Sequence, residues 1–188
     1  MKDSSKKSLN HDLIIKAALD ILDVHGPSGL SMRRLAASLN VEAASLYYHL
    51  PNKGILLQKI VDFSAVQAVL PEMPMKSWPT ALRRLAANFR ATLRKHPGVV
   101  PLIAIQPVSD EVAFQLSAPI LAAMKEMNIE QEKALFVIQS ISVFVIGHAL
   151  AEVGNLPDPP TAPQAYYDEW FEMGLNALIS GFQLQFDS

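Results

Sequence analysis

Six basic or phenolic side chains fall within 21 residues: Arg33 and Arg34, the adjacent Tyr47, Tyr48 and His49, and Lys53. Taken singly, each has an ordinary reading. The arginines could be a solvated charge pair, either tyrosine a core aromatic, and His49 a structural histidine. Adjacent positions on a short helix cannot both face inward, however, so at least one tyrosine must be presented outward. Nothing that makes or breaks bonds accompanies this set. The chain has no cysteine, which excludes disulfides, thiolate metal sites, iron–sulfur clusters and cysteine nucleophiles. It has no glycine-rich phosphate loop, no Gly-x-Ser-x-Gly turn and no histidine pair at metal-ligand spacing. His96, beside Pro97, is an isolated histidine at a helix end. An enzyme is not expected, nor a metal or any other cofactor.

The elements that position these residues read as helices. Proline and glycine punctuate long segments of helical period, and no segment alternates apolar and polar residues as a strand would. Residues 1–9 are a polar tail containing Lys2, Lys6 and Lys7. Asn10 caps a first helix to about His25, with Leu13, Ile14, Ala17, Ala18, Ile21 and Leu22 inward, and Gly26-Pro27-Ser28-Gly29 stops it. Ser31 caps a short helix with Leu35, Ala36 and Leu39 inward. Asn40 sits at a turn, where it tolerates a left-handed conformation. A second short helix runs from about Glu42 to His49, and Asn52 caps a longer one to about Leu70. Two short helices joined by a tight turn cannot bury enough surface alone; here a helix before and a helix after supply the missing walls. That is the arrangement of a helix-turn-helix, whose second helix enters the DNA major groove.

The run Ile14 to Leu22, then Gly26, Leu30-Ser31-Met32-Arg33-Arg34-Leu35-Ala36, Leu39-Asn40-Val41, Ser45-Leu46-Tyr47-Tyr48-His49-Leu50, Asn52-Lys53 and Leu56-Leu57 resembles the N-terminal domain of the tetracycline-repressor (TetR) family over about 50 residues. The resemblance implies DNA contacts residue by residue. Arg33 would reach a base edge or a phosphate. Ala43, Ala44 and Ser45 would open the recognition helix at the groove floor. Tyr47 would meet bases or phosphates, and Tyr48, His49 and Lys53 would hold phosphates. These roles suit the side chains: arginine can bridge guanine O6 and N7, small apolar groups pack on a thymine methyl, and hydroxyls and lysines position a protein on the backbone. Asn40 stands where glycine is usual, and Gly54 where an acidic residue often follows Asn-Lys. With little hydrogen-bonding capacity at Ala43 and Ala44, specificity would lean on Arg33, Tyr47 and DNA shape.

Pro71 and Pro74 flank a linker. Beyond it, Ser77 caps a helix with Pro79 in its first turn, carrying Trp78, Leu82, Leu85, Ala86, Phe89 and Leu93 in one apolar stripe to His96. A short apolar segment spans Val99 to Ile105. Ser109 caps a helix to about Met127, which Pro119 should kink. Asn128 with Gln131 resembles a capping box opening a long apolar helix to about Val153. Residues 154–165 hold four prolines and read as a mobile loop, and a last helix, about Tyr166 to Phe182, turns Trp170, Leu175, Leu178, Ile179 and Phe182 inward. The expected fold is thus all-α: a helix-turn-helix DNA-binding domain at 10–70 joined to a larger helical domain at 71–188, which by the resemblance binds a ligand and dimerises. A cavity there would be lined by Leu82, Leu85, Phe89, Ile103, Phe114, Leu116, Met124, Val143 and His148. In the tetracycline-repressor subgroup a histidine after the Trp-starting helix helps bind a magnesium-chelated drug. By count that position is Ile103 here, and a second polar position is Val143, so the resemblance implies a small apolar effector without a metal.

The long helix from Ile129 and the last helix are too apolar for a surface, so both should pack against a second copy of the chain as a four-helix bundle. Two copies would also give two recognition helices for a palindromic operator of double-stranded DNA. The rival reading of Ala134–Ala151, 18 residues without Asp, Glu, Lys or Arg, is a membrane-associated helix; Gln139, Ser140, Ser142 and His148 interrupt it, and a helix buried all round by protein is the better reading, with no membrane partner. The polar N-terminus lacks the apolar run of a secretory signal, and a cytoplasmic protein is expected. The 188 residues carry a net charge of −2, which excludes a polycation that coats nucleic acid by charge alone. That sum hides a division: residues 1–64 are at net +2 and the remainder at −4.

Overall fold

The computed structural model describes residues 9–68, 77–153 and 161–186, and within these it contains nine α-helices, one 3-10 turn and no strand. Lys2, Lys6 and Lys7, the Pro71–Pro74 linker and most of the proline-rich 154–165 segment lie outside the described residues. Helix α1 spans His11–Gly29, and Asn10 Oδ1 accepts the Leu13 N–H at its start (2.9 Å). It bends sharply at Gly26, whose φ of 65° lies in the region that favours glycine, and Pro27 begins one further turn. Ser31 caps α2 (Met32–Ser38) through the Arg34 N–H. The chain turns on Asn40, at φ 53°, where the Val41 N–H reaches back to Ala36 O. Helix α3 (Ala43–His49) follows, then α4 (Lys53–Val66), capped by Asn52 Oδ1 on the Ile55 N–H at 2.9 Å. Ile14, Leu22, Leu35, Leu46, Leu50, Leu56 and Ile60 are fully buried among these four helices.

Helix α5 (Trp78–Lys95) leads through the 3-10 turn Pro97–Val99 into α6 (Val100–Ile105). Then come α7 (Asp110–Glu126), α8 (Gln131–Val153) and α9 (Gln164–Phe186). Three local expectations need correction. Ser77 does not cap α5 through the backbone; its hydroxyl pairs with Thr80 Oγ1. Asn128 closes α7 instead of opening α8. Its φ of 57° and the Ile129 N–H bond to Met124 O end the earlier helix, and α8 begins at Gln131. On α9 the buried residue is Phe171, not Trp170, which is 38% exposed. The inward row is Phe171, Leu175 and Ile179, at four-residue spacing, with Leu178 and Phe182 half-buried beside it.

One apolar core runs through both halves. The halves meet where the 3-10 turn presses on α1. There Gly98 lies against the Leu22 carbonyl, and Asp23 accepts the Gly98 N–H (2.9 Å) and pairs with His96 Nδ1 (2.9 Å). Helix α8 packs against α5, α6, α7 and α9. It is not buried all round: Phe136, Val143 and Leu150 are exposed. Among the described helices it is the one long and apolar enough to cross a membrane.

Candidate nucleic-acid interface and ligand cavity

The first surface is built by α2 and α3. Arg33, second residue of α2, is exposed and has no hydrogen-bond or ion-pair partner among the described residues. Arg34 folds back instead, donating from Nη1 to Gly29 O (2.8 Å) and pinning the turn that leads into α2. Ala43, Ala44 and Ser45 form the exposed first turn of α3. Leu46 and Leu50 take the inward positions, so neither neighbouring tyrosine is a core residue: Tyr47 is 48% and Tyr48 88% exposed. His49 is half-buried and lies edge-on to Tyr48 (5.4 Å) and to His11 (5.8 Å).

Two placements differ from what the residues alone suggest. His11, absent from the expected set, donates from Nε2 to the His49 carbonyl (3.2 Å), which satisfies an acceptor at the end of α3. The only sequence cue for it was its place at the start of α1. Lys53 is not free in solvent. Its Nζ donates to Leu30 O (2.6 Å), tying the start of α4 to the turn before α2, with two of its three donors left over.

The second site is a cavity of about 620 Å³ in the other half of the molecule. Ala65 and Ala68, at the end of α4, form one wall; α5 to α8 supply the others. Of the expected lining residues, Leu85, Phe89, Ile103, Phe114, Leu116 and Val143 are on the wall. Leu82, Met124 and His148 are not. Leu82 and Met124 are wholly enclosed by core side chains, and His148 lies among Phe144, Tyr167, Trp170 and Phe171. Sequence reasoning passed over Gln139, Ser142 and Ile146 on the same wall. For Gln139 and Ile146, four and three residues from Val143 on one helix, that spacing was the available signal.

Near His148 a charged cluster joins three helices. Arg90 of α5 grips Glu152 of α8 with two bonds of 2.8 Å and also reaches Asp168 of α9 (2.7 Å). Arg94 lies 3.2 Å from Glu152, and Gln164 Nε2 donates to both carboxylates. Burial by itself would raise the Glu152 carboxyl, but the bonds from Arg90 and Gln164 and the charges of Arg90 and Arg94 outweigh it and hold the group below its ordinary range. His148 is pushed down by burial and by the Arg90 charge. Its Nε2 donates to Tyr167 O (3.0 Å), which leaves Nδ1 as an unpaired lone pair 3.5 Å from Glu152.

Polar contacts join α4 to the corner between α6 and α7. Gln58 donates to Pro107 O and to Asp62, Gln106 donates to Gln58, and Asp62 accepts the Ser109 N–H (2.8 Å). The α6–α7 corner, which helps wall the cavity, is thereby bonded to the helix that starts beside α3.

Residues 14–60 match the family described as bacterial regulatory proteins, tetR family, and residues 70–166 the tetracyclin repressor-like C-terminal domain. The tetracycline repressor protein class E of Escherichia coli is 31% identical, over 95% of this chain and 93% of its own length. The class D protein of the same organism is 30% identical over 94% of this chain and 90% of its own. Among solved structures, a TetR variant from Acinetobacter baumannii AYE in complex with minocycline superimposes with a TM-score of 0.82 at 25% identity, covering 96% of this chain and 99% of that one. ActR of Streptomyces coelicolor in complex with actinorhodin, at 23% identity and a TM-score of 0.75 over 94% and 96% of the two chains, shares the fold.

Proposed function

Because the chain belongs to the TetR family of DNA-binding transcriptional regulators, we propose that it is a repressor that grips a palindromic operator as a homodimer and lets go when a small apolar effector fills the 620 Å³ cavity. The observation that carries this reading is the course of α4: it begins at Lys53, just after α3, and its far end walls the cavity. In this reading residues 10–70 read DNA and residues 71–188 receive the effector. Arg33 and Tyr47 contact bases or phosphates, Ala43, Ala44 and Ser45 face the groove floor, and Tyr48, His49 and the spare donors of Lys53 hold phosphates. The effector must bind the non-gripping arrangement better, or no population shifts.

The dimer is supported by an unpartnered apolar stripe. On α9, Tyr166, Trp170, Met173, Ala177, Gly181 and Leu184 are exposed at spacings of three and four; Phe136, Gly147 and Leu150 continue it on α8. A second copy covers such a face through the same residues. Two recognition helices then meet half-sites about 34–36 Å apart. The working place of such a regulator is with the chromosome, in the cytoplasm. Arg33→Ala and Tyr47→Ala should each abolish operator binding in a gel-shift assay while sizing still reports the dimer. Unchanged operator affinity in both variants sinks the assignment.

A further inference from the structure

The cavity wall says more about its occupant than that it is apolar. Among the described residues only one ionisable side chain lines it, Asp110, and that carboxylate stands exposed at the start of α7. No described lysine, arginine or histidine reaches the wall. The cavity opens to solvent beside Phe114 and Val143, but an anionic group seated at its enclosed end, against Ala86, Ile103 and Val145, has no counter-charge among the described residues, and burying an unpaired carboxylate or phosphate is costly. A chelated divalent cation fares no better. Such ions take several oxygen or imidazole ligands, and the wall offers one carboxylate at its rim.

The neutral polar groups are arranged unequally. Ser142 Oγ donates to Ile138 O (2.8 Å) and Ser117 Oγ to Phe114 O (3.2 Å), so both hydroxyl protons are committed to the helices that carry them. These oxygens can only accept from a ligand. Gln131 and Gln139, by contrast, both exposed, have no hydrogen-bond partner among the described residues and keep donor and acceptor free; Gln131 is the first residue of α8, whereas Gln139 lies in the stretch of α8 that also brings Ser142 and Ile146 to the wall. A volume of about 620 Å³ lies in the range that holds drug-sized molecules.

We propose that the effector is an uncharged, largely apolar molecule of drug size bearing a hydroxyl or carbonyl group, bound without a metal ion and oriented by a hydrogen bond to the Gln139 amide. This rests on the cavity being the effector site. The test uses the full chain, with calorimetric titration of four probes in buffer with and without EDTA: 9-phenanthrol, phenanthrene, phenanthrene-9-carboxylate at pH 7.5, and tetracycline with magnesium. Phenanthrol should bind equally well in EDTA, and the carboxylate at least about tenfold more weakly. Gln139→Leu should weaken phenanthrol by roughly three- to tenfold, the value of one hydrogen bond, and leave phenanthrene unchanged. Phenanthrol that does not bind, a carboxylate that binds as tightly, or tetracycline binding that disappears with EDTA overturns the ligand class and leaves the cavity reading standing. Ala113 is exposed on the same wall, so Ala113→Trp narrows the cavity without disturbing the core. Phenanthrol binding undiminished in that variant places the ligand elsewhere, and the cavity reading falls with the ligand class.

Discussion

Arg33 and Arg90 show how far the surroundings of one residue type decide its use. Arg33 stands in solvent on α2 with its five donors unspent, as a side chain that meets a phosphate or a guanine must. Arg90 lies against the Phe171 ring at 4.5 Å, with its donors committed to Glu152 and Asp168. Removing Glu152 leaves Arg90 with Asp168 alone and part of its donors unpaired, so Glu152→Ala should cost about 1–3 kcal/mol in urea unfolding. The same cluster makes stability depend on pH. The Glu152 carboxyl is held below its ordinary value of 4.5, so the native state binds fewer protons than the unfolded chain, and stability present above that value is lost as the pH falls through and below it. His148, lowered from 6.5, acts in the same direction: the unfolded imidazole protonates first, so stability declines as the pH falls below about 6.5. Urea midpoints should therefore drop from pH 7.5 to 5.5 and again towards pH 4, with a flatter acid limb in Glu152→Gln. A midpoint constant over that range contradicts the assignment.

Among the helices, α1 has two unlike neighbours. Its first residue bonds to the end of α3, and near its far end Leu22 and Asp23 meet the 3-10 turn of the other half. The close approach depends on a missing side chain. A Cβ at Gly98 would overlap the Leu22 carbonyl, and this backbone cannot yield as a flexible side chain can. Gly98→Ala should therefore destabilise the protein by about 1–3 kcal/mol, read from the urea midpoint. An unchanged midpoint means that the two halves shift apart freely, which argues against α1 as a rigid join. Gly26 and Asn40 were legible beforehand, because a positive φ is a local demand that few residue types meet. Gly98 was not, since its need arises from a helix 75 residues earlier in the chain.

Taken whole, the molecule presents one face that its own residues leave uncovered. Exposed apolar residues recur along α8 and α9, and the glycines at 147 and 181 have open space where a Cβ would stand, which lets another helix approach closely. Met173 and Leu184, 65% and 73% exposed, lie outside both the cavity wall and the buried core. Met173→Glu and Leu184→Glu should convert the proposed dimer to monomer in analytical ultracentrifugation with helicity retained, and operator affinity should fall because one recognition helix reaches only one half-site. A dimer that survives both substitutions has its interface on another face. The −2 net charge also takes on meaning here: the acidic remainder masks a first segment, residues 1–64, at +2, an excess so small that the proposed DNA contacts rest on placed donors and not on a diffuse basic patch.

The amino-acid order by itself determined the helical class, the caps at Asn10, Ser31 and Asn52, the turn at Asn40 and the spacing that sets Arg33, Tyr47 and Tyr48 on a short helix pair. Capping, turn chemistry and helical period are settled within a few residues, so they can be read without knowing what packs nearby. Tertiary structure alone decided that Leu85 walls the cavity while Leu82 lies in the core, that His148 belongs to a buried polar cluster and not to the cavity, and that Arg90 finds Glu152 62 residues later. An apolar stripe looks the same whether it faces a neighbouring helix or an open space. Only the arrangement of the covering helices distinguishes the two.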